Sequence, residues 1–212
     1  MSGPKMQISP RKAEKPSLWI IAGPNGSGKS TLYNRTDIDG WGGSIWIINP
    51  DLLTLRLMEQ EGLAQNDANR AALDRIQNWL DASIEVHQTI GVETVLSTSK
   101  YRELIDRAKA RGFDVRMLYV VLESADLQIQ RVRLRVSEGG HDVPADKIIA
   151  RRARSFEQLA IFAKHLDYLA IFDNSRGDPK LVAIKKYKRP LSVVGALPSD
   201  LRAVLQANLV IE

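Results

Sequence analysis

The amino-acid sequence predicts an α/β fold in three layers, with a mainly parallel sheet of five to six strands between helices. Short β-prone apolar runs alternate along the chain with segments whose apolar residues recur at helical spacing. A glycine-rich turn follows the first apolar run directly, and a later run is apolar almost throughout, as in strands buried on both faces. Such alternation is typical of parallel strands joined by right-handed helical crossovers.

Each strand is predicted from a short apolar run and from the residues that end it. Residues 18–22 run into the glycine-rich turn, and residues 45–48 end at Asn49-Pro50-Asp51. The later strands are expected at 90–96, 115–122, 169–173 and 181–187. Functional residues are expected at the carboxyl ends of these strands, because open α/β sheets bind their ligands there.

The helices are predicted from apolar periodicity and from residues that stop a helix. Within residues 67–88, apolar residues recur at helical spacing at Ala72, Ile76, Leu80 and Ile84. Gly112 ends a helix expected over residues 100–110. Further helices are expected from about residue 29 and at 52–60, 125–137, 145–165 and 198–207. The elements predict one domain over residues 17–212, preceded by a disordered basic tail over residues 1–16.

Length and composition restrict the class of protein. The chain has 212 residues, enough for one compact domain with a sizeable core. It contains no cysteine, which excludes disulfides, thiolate metal sites and cysteine nucleophiles. No apolar run approaches the ~18 residues of a membrane span, and the first residues lack the apolar core of a secretory signal. The cytoplasm is therefore the expected compartment, and no membrane partner is expected.

The glycine-rich turn at residues 23–30 reads Gly-Pro-Asn-Gly-Ser-Gly-Lys-Ser and matches the pattern G-x-x-x-x-G-K-[ST] in full. This pattern forms a phosphate-binding P-loop when a strand precedes it and a helix follows it, as predicted here. Lys29 is expected to reach the β- and γ-phosphates of ATP, Ser30 to bind Mg²⁺ and Thr31 to contact the α-phosphate. The expected nucleotide-binding residues are Gly23, Pro24, Asn25, Gly26, Ser27, Gly28, Lys29, Ser30 and Thr31.

Motifs of the other large P-loop classes are missing or misplaced. The sequence has no N-K-x-D, which GTPases use to bind guanine, and no L-S-G-G-Q-like signature of transporter ATPases. Residues 37–40 fit D-x-x-G, but they lie too soon after the P-loop and follow no strand. The remaining interpretation is a P-loop kinase that transfers a phosphoryl group from ATP·Mg²⁺ to a hydroxyl of a small acceptor.

Two carboxylates lie at or near predicted strand ends. Asp51 is expected to orient the acceptor hydroxyl and take its proton late, because phosphoryl transfer has a loose transition state; alternatively it caps the following helix. Glu93 is expected to bind the acceptor or to hold Mg²⁺ through water; alternatively it lies exposed at a sheet edge. Thr94, Ser97 and Lys100 follow closely and are expected to add acceptor contacts.

Arginines cluster in the two helices predicted over residues 125–165. Arg131 and Arg135 are four positions apart, and Arg151 and Arg154 are three apart, so each pair shares a helix face. With Gly139-Gly140 as a hinge, the two helices are interpreted as a lid over the triphosphate. Arg131 and Arg135 would then offset charge on the transferred phosphoryl group, and Arg151 and Arg154 would bind ATP. The alternative is two solvated helix faces, and His141 is expected to be a loop contact.

From about Trp19 to Ser175 the chain resembles the zeta-toxin-like P-loop kinases. The resemblance rests on the P-loop and on Ile48-Asn-Pro-Asp51, Glu93-Thr94, Arg131-Val-x-x-Arg135-Val, Gly140-His-Asp-Val-Pro144, Arg151-x-x-Arg154-Ser155 and Asp173-Asn-Ser175. It implies the fold of nucleotide kinases, phosphorylation of UDP-N-acetylglucosamine with ATP·Mg²⁺, and an antitoxin protein as a partner. It also implies that Asp51 is the base, that Glu93 binds the acceptor sugar and that the lid arginines bind phosphates.

The chain departs from the toxin members of that family shortly after Glu93 of the predicted third strand. Those members usually place a threonine and then an arginine there, whereas this chain has Val95 and Ser97, and its nearest base is Lys100. An acceptor with its own diphosphate would need cations outside the P-loop, for which Lys100 and Lys164 are candidates. The departure concerns the acceptor and not the kinase chemistry, so a sugar nucleotide is one possible acceptor among others.

The net charge of +5 leaves two further interpretations open. The arginine-rich face and the basic tail could serve a nucleic-acid-associated ATPase, which would bind with strong salt dependence. The chain could also be a regulatory ATP-binding module without turnover. A small molecule is nevertheless the expected partner, and nucleic acid is not.

Overall fold

The computed structural model of the chain describes residues 15–35, 45–138 and 142–212. The D-x-x-G match at 37–40, the Gly139-Gly140 hinge, His141 and most of the predicted tail lie outside these residues. Lys15 and Pro16 belong to the predicted tail, and both contact Asp114. Lys15 Nζ lies 2.5 Å from Asp114 Oδ1, and the Pro16 carbonyl accepts a hydrogen bond from the Asp114 N–H at 2.9 Å.

Strands in the described part of the chain form one seven-stranded sheet with the order β2-β3-β1-β4-β5-β6-β7. They are β1 Ser17–Ala22, β2 Ile47–Ile48, β3 Ile90–Thr94, β4 Asp114–Val121, β5 Tyr168–Asp173, β6 Lys180–Lys186 and β7 Ser192–Val193. The first five are parallel, while β6 and β7 are antiparallel to their neighbours. The mainly parallel sheet is confirmed, but the count of five to six strands is wrong because β7 is too short to show a pattern.

The helices follow the predicted positions closely. They are α1 Lys29–Arg35, α2 Pro50–Glu61, α3 Gln65–Glu85, α4 Arg102–Ala110, α5 Ala125–Ser137, α6 Ala145–Ala163 and α7 Ser199–Asn208. In the described part of the chain, no helix combines the length and apolar character that a bilayer span requires.

The central strand β1 divides the core into two faces. Leu18 and Ile20 belong to a large apolar cluster that includes side chains from α3, α4, α6 and α7. Trp19 and Ile21 point to the other face and pack in a smaller cluster with Leu32 of α1. Alternate side chains of a strand point to opposite faces, so a strand apolar throughout buries both. The result is the predicted three-layer sandwich.

Helix α6 is only partly available to act as a lid. Its side chains Phe156, Leu159 and Phe162 are buried in the large core cluster. Helix α5, by contrast, buries Val132 in a small separate cluster with residues near the start of α6. The C-terminal part of α6 therefore belongs to a helical layer of the sandwich. Only α5 and the first turns of α6 remain candidates for the predicted lid.

Arg152 links α6 to α7 and to the residue that follows β4. The sequence suggested no role for it beyond membership of the arginine cluster. Its side chain is 3% exposed and makes two hydrogen bonds to the Asp200 carboxylate of α7, at 2.7 and 3.1 Å. The same guanidinium donates to the Leu122 carbonyl at 2.9 Å and lies 4.6 Å from the ring centre of Phe156. A buried cation needs such partners, because burial without them is costly.

We predict that Asp200→Ala lowers the free energy of unfolding by about 2–4 kcal/mol, because it leaves the Arg152 charge buried without its carboxylate. Urea denaturation followed by circular dichroism measures the loss. Asp178→Ala removes an exposed carboxylate elsewhere and should change stability by less than about 0.5 kcal/mol. Equal effects of the two substitutions would show that Arg152 does not depend on Asp200.

Candidate functional site

The P-loop follows β1 and adopts a backbone that requires glycine. Gly23 has φ +144°, and a Cβ atom there would collide with the Val120 carbonyl oxygen of β4. Gly28 has φ +88°, and a Cβ atom there would collide with the side-chain nitrogen of Asn174. Residues with side chains rarely adopt such angles. The loop then continues directly into α1 at Lys29, as the motif predicts.

Asn174, at the end of β5, anchors the P-loop to the sheet. Its Nδ2 donates to the Ser27 carbonyl at 2.8 Å, and its backbone N–H donates to the Val121 carbonyl of β4 at 3.0 Å. The side chain is buried. The sequence placed Asn174 only within a family motif, and its role became apparent only from the arrangement of β4 and β5.

The Lys29 ammonium lies within the loop. It donates to the Gly23 carbonyl at 2.9 Å and lies 3.8 Å from Glu93 Oε1. Burial lowers the pKa of Lys29, and the charge of Glu93 opposes this shift. An additional anionic group at this position would stabilise the ammonium, which is the property that a phosphate site needs.

Glu93 lies at the centre of a hydrogen-bond cluster and not at a sheet edge, so that alternative is wrong. Strand β3 is an interior strand, and Glu93 is in register with Ile21 of β1. Its Oε2 accepts hydrogen bonds from Ser30 Oγ at 2.9 Å, Tyr33 Oη at 3.1 Å and Asn49 Nδ2 at 3.0 Å. Three donors from α1 and the start of α2 thus converge on one carboxylate oxygen.

Tyr33 and Asn49 are site residues that the sequence analysis missed. Burial and the Glu93 carboxylate raise the pKa of Tyr33, so its hydroxyl stays protonated and donates. Tyr33 lies one helical turn after Ser30, a spacing that could have revealed it. Asn49 occurs in the Asn-Pro-Asp segment, whose role was assigned to Asp51 alone.

Asn49, and not Asp51, caps helix α2. The Asn49 Oδ1 atom accepts hydrogen bonds from the backbone N–H groups of Asp51 at 2.9 Å and Leu52 at 3.3 Å. The capping alternative for Asp51 is therefore wrong. Asp51 occupies the first turn of α2, and its exposed carboxylate lines the cavities beside Glu93.

Two adjoining cavities, of about 420 and 340 Å³, share Asn49, Asp51, Glu93 and Arg135 in their walls. The larger cavity extends from the P-loop to the segment after β3. Its further lining residues include Asn25, Gly26, Lys29, Thr94, Ser97, Lys100 and Arg151. The smaller cavity extends between α2 and α3, where it is lined by Ser30, Leu52, Leu55, Met58, Gln65 and Asn69. The predicted base and acceptor residues thus lie around one space.

The four predicted site arginines do not lie together. Arg135 lines both cavities and Arg151 lines the larger one. Arg131 Nη2 instead donates to the carbonyls of Asn174 and Ser175, at 2.8 and 3.3 Å. Arg154 is exposed and is not among the residues that line the two cavities.

A buried hydroxyl pair fixes the segment that carries Thr94, Ser97 and Lys100. Ser155 Oγ of α6 donates to the Val95 carbonyl at 2.7 Å and lies 2.8 Å from the Tyr119 hydroxyl of β4. Thr94 Oγ1 accepts a hydrogen bond from the Leu96 N–H at 3.1 Å. These contacts attach the wall of the larger cavity to α6 and β4. Lys164, by contrast, lines a groove at the opposite end of the sheet, so its assignment to the acceptor is wrong.

Comparison with known proteins supports the same assignment of fold and family. Residues 4–180 match the model of a family described as Zeta toxin. A curated relative from Haemophilus influenzae, described as an uncharacterized protein, is 28% identical over 139 residues, covering 61% of this chain and 92% of that protein.

Solved structures resemble this chain in fold. A structure of the PezAT chromosomal toxin–antitoxin system of Streptococcus pneumoniae matches with a TM-score of 0.62 and 17% identity, covering 92% of this chain and 79% of that chain. The AvrRxo1-ORF1:-ORF2 structure with ATP matches with a TM-score of 0.64 and 17% identity, covering 92% of this chain and 76% of that chain.

We predict that Asn49→Asp destabilises the protein in a pH-dependent way. The new carboxylate keeps the helix cap but replaces a donor 3.0 Å from Glu93 Oε2. The two carboxylates repel each other, so the penalty, about 1–3 kcal/mol, is present near pH 7.5. It shrinks at lower pH, because a proton taken up between the two oxygens replaces the lost donor.

The measurement is urea denaturation in EDTA at pH 7.5 and about 4.5, each relative to wild type. Asn49→Ala serves as the control: it loses the cap, worth about 1 kcal/mol, without introducing a charge. A pH-independent loss for Asn49→Asp would contradict the proposed contact with Glu93.

Proposed function

We propose, from the premise that this chain belongs to the Zeta toxin family, that it is an ATP-dependent kinase with a small hydroxyl-bearing acceptor. One observation supports the proposal most strongly: the two adjoining cavities are surrounded by side chains from four elements. They are Lys29 and Ser30 of the P-loop, Glu93 of β3, Asp51 of α2 and Arg135 of α5. Phosphate-binding, metal-binding and proton-accepting groups thus face one space, as phosphoryl transfer requires.

ATP fits the P-loop as it stands. The loop leads into the N-terminus of α1, where unpaired N–H groups and the helix dipole favour phosphate. The loop can adopt this conformation against β4 and Asn174 because Gly23 and Gly28 carry no side chain. The AvrRxo1-ORF1:-ORF2 complex, which shares this fold, was solved with ATP.

Mg²⁺ fits the oxygen pair of Ser30 and Glu93, whose side chains are 2.9 Å apart. In the described part of the chain, no cluster of three or more histidine and acidic side chains could hold a metal. Mg²⁺ commonly binds through one or two protein oxygens together with phosphates and water. Such an ion, when bound with ATP, would neutralise charge on the phosphates, with Ser30 as a ligand and Glu93 positioned beside it.

Asp51 is the proposed base. Its carboxylate lines both cavities and is not used as a helix cap, so it is available to an acceptor hydroxyl. The hydroxyl oxygen bonds to the γ-phosphorus while the bond to the β–γ bridging oxygen breaks, and the hydroxyl proton passes to Asp51. Arg135 offsets the negative charge on the transferred group. Arg131 acts indirectly, by holding the segment that includes Asn174, whose side chain supports the P-loop.

A sugar nucleotide such as UDP-N-acetylglucosamine is the proposed acceptor. Lys100 and Arg151 line the larger cavity and offer cations for an acceptor diphosphate, while Thr94 and Ser97 offer hydroxyls. Glu93 can accept hydrogen bonds from sugar hydroxyls as well as support Mg²⁺. Because Val95 and Ser97 replace residues of the toxin members, we expect weak binding of this acceptor.

An antitoxin protein is the proposed partner, and the cytoplasm is the proposed compartment. The PezAT structure belongs to a toxin–antitoxin system, which supports a partner of this kind for a chain of the same family. Co-purification with the product of an adjacent gene would test this proposal.

We predict that Asp51→Asn leaves the affinity for ATP·Mg²⁺ within about twofold and lowers turnover by roughly 10²–10⁴, the usual effect of losing a general base. Calorimetry measures binding, and phosphate transfer is measured with radiolabelled ATP. Lys29→Ala, in contrast to Asp51→Asn, should lower the affinity for the nucleotide sharply. Asp67→Asn, in the first turn of α3, is the matched control and should change neither. Full activity in Asp51→Asn would exclude Asp51 as the base.

We also predict detectable phosphorylation of UDP-N-acetylglucosamine with a high KM, abolished by Glu93→Ala. A pocket that holds ground and transition states equally weakly raises KM without lowering kcat. The assay pairs purified protein and ATP·Mg²⁺ with a panel of sugar nucleotides, nucleosides and sugars. If the protein phosphorylates only another metabolite, the proposal that it is a kinase stands and UDP-N-acetylglucosamine is excluded as the acceptor. Hydrolysis stimulated only by RNA or DNA would favour the nucleic-acid-associated ATPase.

A further inference from the structure

A concave surface at the end of the sheet opposite the P-loop carries a cluster of cations. It lies where β5 begins and β6 ends, beside the C-terminal ends of α4 and α6 and the turn between β6 and β7. Its volume is about 940 Å³. Its cations are Lys109, Lys164, Lys185, Lys186, Lys188 and Arg189, and we refer to this surface as the basic groove.

The basic groove contains little negative charge, and its carboxylate already binds groups of the protein. Among the described residues that line it, Asp167 is the one carboxylate. Its Oδ1 lies 3.3 Å from Lys109 Nζ, and its Oδ2 accepts a hydrogen bond from the Val115 N–H at 2.9 Å. The groove therefore has an excess of positive charge as large as the net charge of +5 of the whole chain.

The cations divide into two groups. Lys109 and Lys185 are part of the fold: Lys109 Nζ donates to the His165 carbonyl at 2.8 Å, and Lys185 Nζ donates to the Leu166 carbonyl at 2.7 Å. The others are exposed and make no side-chain hydrogen bond or ion pair with any described residue; they are Lys164, Lys186, Lys188 and Arg189. Four cations are thus available to a ligand.

The half-buried Lys185 lies among these charges. Burial lowers the pKa of Lys185, the charge of Asp167 opposes this shift, and the charge of Lys109 adds to it. Six cations against one carboxylate line the groove. The groove therefore favours a ligand with several negative charges over a neutral one.

An exposed aromatic ring stands among the unpaired cations. Tyr187 lies between Lys186 and Lys188 in the turn, and 61% of its surface is exposed. Its φ of +53° is rare for a residue with a large side chain, and its N–H donates to the Asp167 carbonyl at 2.5 Å. Strained residues of this kind often occur at binding sites, because strain persists only where surrounding structure imposes it.

We propose that the basic groove binds single-stranded nucleic acid, with its unpaired cations on the phosphates and the Tyr187 ring stacked on a base. Proteins that bind single strands combine a positive groove along the backbone with aromatic rings on which bases stack. A duplex hides the faces of its bases, and an acidic peptide has no bases to stack. This ligand departs from the sequence-based expectation that nucleic acid is not a partner.

The site is separate from the proposed kinase site. The groove lies at the amino ends of the parallel strands, and the P-loop lies at their carboxyl ends. The nucleotides that lie in the groove are therefore not the phosphoryl acceptor. The proposal does not rest on the proposed function, and either can fail alone.

Fluorescence anisotropy of the full chain with a labelled 20-nucleotide single-stranded RNA, and with DNA of the same sequence, tests the proposal. We expect binding at low salt, with log K falling against log salt at a slope of about −3 for four phosphate contacts. The triple variant Lys186→Ala/Lys188→Ala/Arg189→Ala should lose at least tenfold in affinity and about 2 units of slope. Tyr187→Asn tolerates positive φ but lacks the ring, and should lose roughly tenfold with the slope unchanged.

The control variant Arg70→Ala/Arg133→Ala/Arg202→Ala removes three exposed cations outside the groove and should bind like wild type. Unchanged ATP·Mg²⁺ affinity shows that each variant is folded. Absence of binding at low salt, or equal losses in the two triple variants, would overturn the proposal. The proposal would also be overturned if the protein bound a blunt duplex or polyglutamate as tightly as the single strand and Tyr187→Asn had no effect. The first result would favour a duplex as the ligand, and the second an acidic protein.

Discussion

The Glu93 carboxylate is the group on which the arrangement of the site depends. A charged side chain in an interior strand is costly unless donors surround it. Its donors come from separate elements: Ser30 and Tyr33 from α1 and Asn49 from the start of α2, with the Lys29 ammonium 3.8 Å away. The carboxylate proposed to support Mg²⁺ therefore also fixes α1 and α2 relative to β3, which is why the cavities lie where the P-loop opens.

Local and contiguous signals allowed the sequence to predict the fold and the phosphate site. The P-loop occupies consecutive residues between a strand and a helix, so its role does not depend on the rest of the topology. The contacts of Glu93 join residues 44 to 63 positions apart, and they depend on β3 lying between β2 and β1. The strand order was not predictable, so Asn49 could not be placed beside Glu93, whereas Tyr33 could have been inferred from its spacing to Ser30. The alternative interpretation of Asp51 as the cap of α2 lay two residues too late.

The arginines show the limit of spacing arguments most clearly. Residues four apart share a helix face, but spacing does not reveal what packs against that face. Arg131 binds the carbonyls after β5 while Arg135 faces the cavities, although both lie on α5. On α6, Arg152 is buried against Asp200 and Arg154 is exposed. Each environment is set by a different partner element, so Arg135 and Arg151 of the predicted lid line the larger cavity, whereas Arg131 and Arg154 do not.

The antiparallel return of β6 gives the two ends of the sheet different chemistry. In a purely parallel sheet the chain crosses back through helices, whereas β6 carries it straight to the amino ends of β4 and β5. Its final lysines and the following turn are therefore placed beside the C-terminal end of α6, where carbonyls hold Lys185 and Lys109. A polyanion there and a triphosphate at the P-loop would be bound at opposite ends of one sheet. Neither ligand would then occupy the site of the other.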